Sequence, residues 1–122
     1  MVDRTTLVDY CNTFLAADAF QDYCPNGLQV EGTDQVQRII TGVTASQDMV
    51  DAAVQAGGDM LLVHHGYFWK GESAAIVGIK QRRLKALLQN DLNLLAYHLP
   101  LDVHAEVGNN VQLARLMGWQ IS

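Results

Sequence analysis

The sequence predicts a three-layer α/β/α domain on a mainly parallel sheet, and three observations carry that prediction. Short β-branched or unbroken apolar runs alternate with segments of helical period along most of the chain. The strand-like runs Arg38–Val43, Met60–His64 and Leu92–His98 are separated by segments long enough to hold the crossover helices that parallel strands require. The chain has 122 residues, 49% hydrophobic and 17% charged, enough for one compact α/β domain over residues 1–122 and too few for two independent cores.

A first helix is expected over Thr5–Leu15, where Leu7, Tyr10, Cys11, Phe14 and Leu15 form one apolar stripe at helical spacing. Thr6 with Asp9 three residues later resembles a capping box, and Cys11 falls on the core side. Residues 16–34 keep no period and include the turn-forming run Cys24-Pro25-Asn26-Gly27, so they read as a loop or a loose extended pair. Arg38–Val43 is short and β-branched, which suits a buried strand. Thr44–Asp48 offers N-cap residues to a second helix with Met49, Val50, Ala53 and Val54 inward, and Gly57-Gly58 stops it.

Met60–His64 is an almost unbroken apolar run, as expected of a parallel strand covered on both faces. The loop beginning at His65 holds the aromatic trio Tyr67-Phe68-Trp69. A third helix near Lys80–Gln89 directs Leu84, Leu87 and Leu88 inward, and Lys80, Arg82, Arg83 and Lys85 read as its wet face. Leu92–His98 is the third strand, Pro100 breaks it, and Asn110–Met117 is a fourth helix stopped by Gly118.

Composition narrows the function. No stretch of about eighteen apolar residues exists, which excludes a transmembrane helix. The first residues lack a basic segment followed by an apolar one, so nothing reads as a secretory signal and a cytoplasmic location is the default. Cys11 and Cys24 are too few for a disulfide scaffold and are expected as reduced thiols. A net charge of −5 argues against a duplex nucleic-acid surface, leaving small molecules and metals as partners.

All four histidines lie in two short segments, and both segments fall at strand ends. In an open parallel sheet, ligands bind at the carboxyl ends of the strands. His64 ends the second strand and His65 follows it, while His98 ends the third, with Asp102 and His104 beyond. Adjacent side chains of an extended chain point to opposite sides, so His64 and His65 serve one ion only if the backbone bends, and otherwise serve two. Imidazole and carboxylate suit zinc, iron(II), manganese or nickel better than calcium or magnesium. Two ions about 3.5–4 Å apart activate water and clamp a displacement, but they need more ligands than these residues supply. Glu72 is the nearest second carboxylate, though as a loop residue it reads first as solvated.

Four segments carry a family resemblance: Pro25-Asn26-Gly27-Leu28-Gln29-Val30, Thr41-Gly42-Val43-Thr44-Ala45-Ser46, His64-His65-Gly66-Tyr67-Phe68-Trp69 and His98-Leu99-Pro100-Leu101-Asp102. In this order the chain resembles the N-terminal half of the Ngg-interacting-factor-three-like proteins, often labelled GTP cyclohydrolase 1 type 2 homologs. The resemblance implies one half of a two-domain α/β fold, a dinuclear metal centre and a ring-shaped homo-oligomer. It places metal ligands on His64, His65 and Asp102, and it makes His98 an acid/base group or a further ligand. His104 becomes a neighbour of the ligands or a solvated residue, and Phe68 with Trp69 would wall the pocket. Family members continue into a second domain whose histidine and glutamate complete the site, so this chain is expected to hold an incomplete one. The implied activity is metal-dependent hydrolysis of a small, nucleotide-like substrate. A non-catalytic metal-binding interaction or regulatory module, with a partner at the Tyr67-Phe68-Trp69 loop, is the competing expectation.

Overall fold

The structure is a computed structural model that describes residues 1–121. Its elements run β1 (Val2–Asp3), α1 (Arg4–Phe14), a 3-10 turn (Ala17–Ala19), β2 (Gly27–Val30), β3 (Gln35–Val36), β4 (Ile39–Thr41), α2 (Gln47–Gln55), β5 (Met60–Val63), α3 (Gly78–Gln89), β6 (Asn93–Ala96), α4 (Leu99–Val103) and α5 (Asn109–Met117).

Four strands form the main sheet in the order β2-β6-β5-β4. β4 and β6 both run parallel to the central β5, with Ile40 opposite Leu61 and Leu61 opposite Leu94. β2 runs antiparallel on the outer side of β6, with a shift of register between Leu28 and Val30. β1 and β3 make a separate antiparallel pair.

Side chains alternate along β5 and β6 and so divide the core in two. Leu61, Val63, Leu94 and Ala96 join Val50, Ala53, Leu84 and Leu87 under α2 and α3. Met60, Leu95 and Tyr97 join Leu15 and Ala17 on the other face, where Leu7, Val8 and Cys11 of α1 pack against them. The result is the expected three-layer arrangement, with both faces of the central strands covered. Asn93 is fully buried, and its amide donates to the carbonyls of Thr33 and Asp59 while accepting from the Gly32 amide. A buried amide with its hydrogen bonds made fixes how residues 32–33 meet the sheet.

The structure corrects several local expectations. Residues 16–34 contribute a sheet strand, β2, because a partner 60-odd positions away supplies hydrogen bonds that no local periodicity announces. β4 is an edge strand, with Ile39 43% exposed, since only β5 pairs with it. α1 is capped by Asp3, whose carboxylate accepts from the Thr6 amide, in place of a box starting at Thr6. Leu88 is 58% exposed, leaving Leu84 and Leu87 as the buried residues of α3. Pro100 sits in the first turn of a short helix, α4, where its missing amide hydrogen costs nothing. Ser46 caps α2 and Gly118 ends α5 with φ 69°, both at their expected places. α5 itself buries no residue and exposes Leu113, Leu116 and Met117.

Candidate metal centre

The parallel pairing of β5 and β6 brings both histidine segments to one edge of the sheet. β5 ends at Val63, and the amides of His64 and His65 then both donate to the Val43 carbonyl, at 3.0 and 2.8 Å. Two successive amides on one acceptor form a bulge, which breaks the alternation of side chains. The two rings consequently face the same space, with centroids 4.4 Å apart. His98 completes the group, its ring 5.2 Å from that of His64 and 5.7 Å from that of His65. One nitrogen from each of the three rings lies within 4.8 Å of the others.

Each imidazole is oriented through its Nδ1. His64 Nδ1 lies 2.8 Å from the Tyr97 carbonyl, which only accepts, so the ring proton sits on Nδ1 and Nε2 keeps a lone pair. His98 Nδ1 lies 2.8 Å from Asp22 Oδ1, and His65 Nδ1 lies 3.1 Å from the Thr44 hydroxyl. Such hydrogen bonds behind the ring orient a ligating histidine and free its other nitrogen for a metal. Asp102, on α4, brings Oδ1 to 3.3 Å from His64 Nε2, and the same oxygen accepts a hydrogen bond from the Asn109 side-chain amide at 3.0 Å. A carboxylate opposite a lone pair is repulsive unless a proton or a cation lies between them. The three imidazoles form a group that could hold a metal ion, with the Asp102 carboxylate beside His64.

The local electrostatics favour a neutral His65. Burial first, and then the neighbouring His64 and His98, lower the affinity of His65 for a proton, against a smaller opposing pull from Asp102. A neutral imidazole is the ligating form. The side chain of Asp22 is only 2% exposed, and that burial opposes ionisation. Hydrogen bonds from Asn26, His98, Leu99 and Tyr23 outweigh it and hold the carboxyl down at about 2.

Comparison with known proteins decides the family. The family profile described as Duf34/NIF3 (NGG1p interacting factor 3) matches residues 2–122. The chain belongs to the Duf34/NIF3 family. A GTP cyclohydrolase 1 type 2 homolog of Pseudomonas aeruginosa is 66% identical over 117 residues, covering 96% of this chain and 46% of that protein. The solved structure of protein ybgI, described as of unknown function, superposes with a TM-score of 0.94 at 58% identity, over 96% of this chain and 47% of that one. A Thermus thermophilus structure superposes at 0.90 with 47% identity, over 96% and 48%. The chain thus spans about half the length of the Duf34/NIF3 proteins it matches.

Within this Duf34/NIF3 domain, the motifs that carried the resemblance have physical tasks. Asn26 accepts from the His98 amide at 2.7 Å, and Asp22 accepts from Asn26 and from the Leu99 amide, so the 22–26 turn holds the end of β6. Gln29 clamps the other segment, accepting from the Tyr67 amide at 2.7 Å and donating to the Tyr67 and Pro25 carbonyls. Gly66 is required beside that clamp, because a Cβ there would stand 2.2 Å from Gln29 Oε1 and 2.8 Å from the Ala96 Cβ. Phe68 follows at φ 63°, a strained backbone of the kind that clusters at functional sites.

The remaining expected residues separate. Trp69 packs edge-on to His98, with centroids 5.0 Å apart, while Phe68 packs against Tyr67 and under Lys80. Glu72 pairs with Lys80 at 3.5 Å and not with Asp102. His104 accepts from the Glu106 and Val107 amides at Nδ1 and meets the Phe14 carbonyl with Nε2, so neither nitrogen is left for an ion. It ties α1 to the chain after α4 and stands apart from the histidine group. Asp22 and Cys24, which join His98 in a second cluster, were not among the sequence candidates. Burial, then the Asp22 charge, pushes the Cys24 thiol up to about 11, so without a bound metal it remains protonated and is a poor nucleophile. Both cysteines are free, and no helix among the described residues is long and apolar enough to cross a membrane.

Proposed function

We propose that this chain supplies one wall of the divalent-metal centre of a metal-dependent hydrolase acting on small, nucleotide-like molecules. The observation that carries the reading is the common orientation of His64, His65 and His98, each held through Nδ1, with Asp102 opposite the free nitrogen of His64. In this reading His64, His65 and Asp102 hold the metal, which supplies Lewis acidity toward water and toward the leaving oxygen.

His98 is the acid/base group of the proposal. Asp22, ionised and buried, keeps the ring proton on Nδ1 and stabilises the imidazolium that forms when Nε2 takes a proton. Trp69 packed edge-on to His98 limits ring rotation and shields one side from solvent. An apolar cleft of about 320 Å³, lined in part by Cys11, Leu15, Val43, Leu62 and Leu101, adjoins His64 and gives room for the uncharged part of a substrate.

Relatives about twice as long leave room for further ligands, and we place those that would complete a two-ion site in the half this chain does not match. The exposed apolar residues of α5 suit burial against such a half or within a homo-oligomer. A screen of phosphoesters, nucleotides and amides with added manganese, zinc or iron tests the reading. Turnover that falls about 10²- to 10⁴-fold in His98→Gln, with metal content retained, supports it. Turnover indifferent to His98, or metal binding with no turnover on any substrate class, favours the non-catalytic module instead.

A further inference from the structure

The four basic residues of α3 do not form one solvated face. Arg82 and Lys85 are exposed, but Lys80 and Arg83 turn toward the 65–72 loop and are partly buried. Together with Thr44, His65, Trp69 and Glu72 they line a cleft of about 140 Å³. Tyr67 also lines it, with the Arg83 guanidinium over its ring at 4.6 Å, and the Lys80 ammonium lies 5.4 Å over the neighbouring Phe68 ring. Tyr67 is itself fixed, with its hydroxyl donating to the Ala45 carbonyl at 2.7 Å.

Arg83 Nε is buried and has no hydrogen-bond partner among the described residues. A guanidinium N–H withdrawn from water and left unpaired costs free energy that an acceptor in the cleft would recover once Arg83 shifts to expose it. Two cations against the one carboxylate of Glu72, which stands 3.5 Å from Lys80, leave the cleft with a surplus positive charge in a chain of net charge −5. His65 belongs both to this cleft and to the histidine group, so the two sites share a wall.

We propose that this cleft binds a phosphoryl group of the substrate, with Arg83 and Lys80 as its cationic partners and the Thr44 hydroxyl beside them. A planar guanidinium fork next to an ammonium, which also donates to the Ser73 carbonyl at 3.0 Å, matches a tetrahedral dianion better than a single carboxylate. Lys80 exchanges its Glu72 contact for the phosphoryl oxygens when the group enters. Across the shared His65 wall, the bond to be broken lies at the histidine group, an assignment that rests on the hydrolase reading above. The cleft thereby selects phosphorylated small molecules and sets which end of them faces His98.

Inorganic phosphate is the probe, titrated into the chelator-treated protein and followed by the Arg83 Nε–H and Trp69 indole resonances, with the Trp119 indole as internal reference. Saturable shifts at Arg83 and Trp69 are expected without movement at Trp119. Arg83→Met should weaken binding at least about tenfold and Lys80→Met severalfold, while Lys85→Met changes nothing. Arg83→Lys keeps the charge but removes the fork, and it should also bind more weakly if Arg83 makes the contact. Metal content of each variant is measured in parallel and should equal that of the parent chain. Unmoved Arg83 and Trp69 resonances, or phosphate affinity unchanged in both Arg83 variants, overturns the proposal. Phosphate binding in a protein that takes up no metal would sustain the cleft while removing the metal reading.

Discussion

His98 is joined to Asp22 by a 2.8 Å hydrogen bond from Nδ1 to a carboxylate that is almost wholly withdrawn from solvent. The pair connects the aperiodic 22–26 turn to the end of β6, so the orientation of the imidazole and the anchoring of the strand end depend on one side chain.

That pairing has a pH signature. Asp22 is held at about 2 in the folded protein, against about 3.9 in an unfolded chain. Between these values the unfolded state binds more protons, so stability rises with pH through this window and is fully present above about pH 4. Its loss on acidification to about pH 2 amounts to about 2 kcal/mol. Denaturant melts of the chelator-treated protein across this range should show that slope, and Asp22→Asn should flatten it. An unchanged slope would assign the acid limb to other carboxylates.

Gly66 is the narrowest point beside the histidine bulge. Gly66→Ala is expected to destabilise the domain by about 2 kcal/mol through overpacking against Gln29 and Ala96. It should also weaken metal binding by displacing His65. Combining it with Gln29→Ala removes one of the clashing groups, so the double variant should lose less than the sum of the two single losses. Thermal melts and metal titration of the four proteins in the cycle check both statements.

His104 separates a structural histidine from the site histidines. His104→Ala leaves the Phe14 carbonyl and the Glu106 and Val107 amides without their partner. A loss of about 0.5–1.5 kcal/mol follows, because these groups are exposed and water replaces part of what the imidazole supplied. Metal content should stay at the level of the parent chain, because no nitrogen of His104 faces the histidine group. A large fall in bound metal without unfolding would return His104 to the ligand set.

The parts of this architecture written in local pattern were legible in the sequence. The apolar runs of β5 and β6 and the periods of α1, α2 and α3 are signals within ten or so residues, and parallel strands then bring His64 and His98 to one edge. What escaped depends on distant partners. Asp22 lies in a stretch without period and meets His98 across 76 positions, and β2 becomes a strand only because β6 accepts it. The bulge that turns both histidines to one side arises from a single shared acceptor, Val43, which no composition reveals. Lys80 and Arg83 read as a wet face because the loop that folds over them carries no periodic signal.

The central claim is that His64, His65 and Asp102 hold a divalent metal. Elemental analysis of the purified protein beside the His64→Ala/His65→Ala double variant, with circular dichroism to verify folding and His104→Ala as control, tests it directly. Bound zinc, iron, manganese or nickel in the parent chain and in His104→Ala, lost in the folded double variant, is the predicted result. Equal metal content in the parent chain and the folded double variant would contradict it.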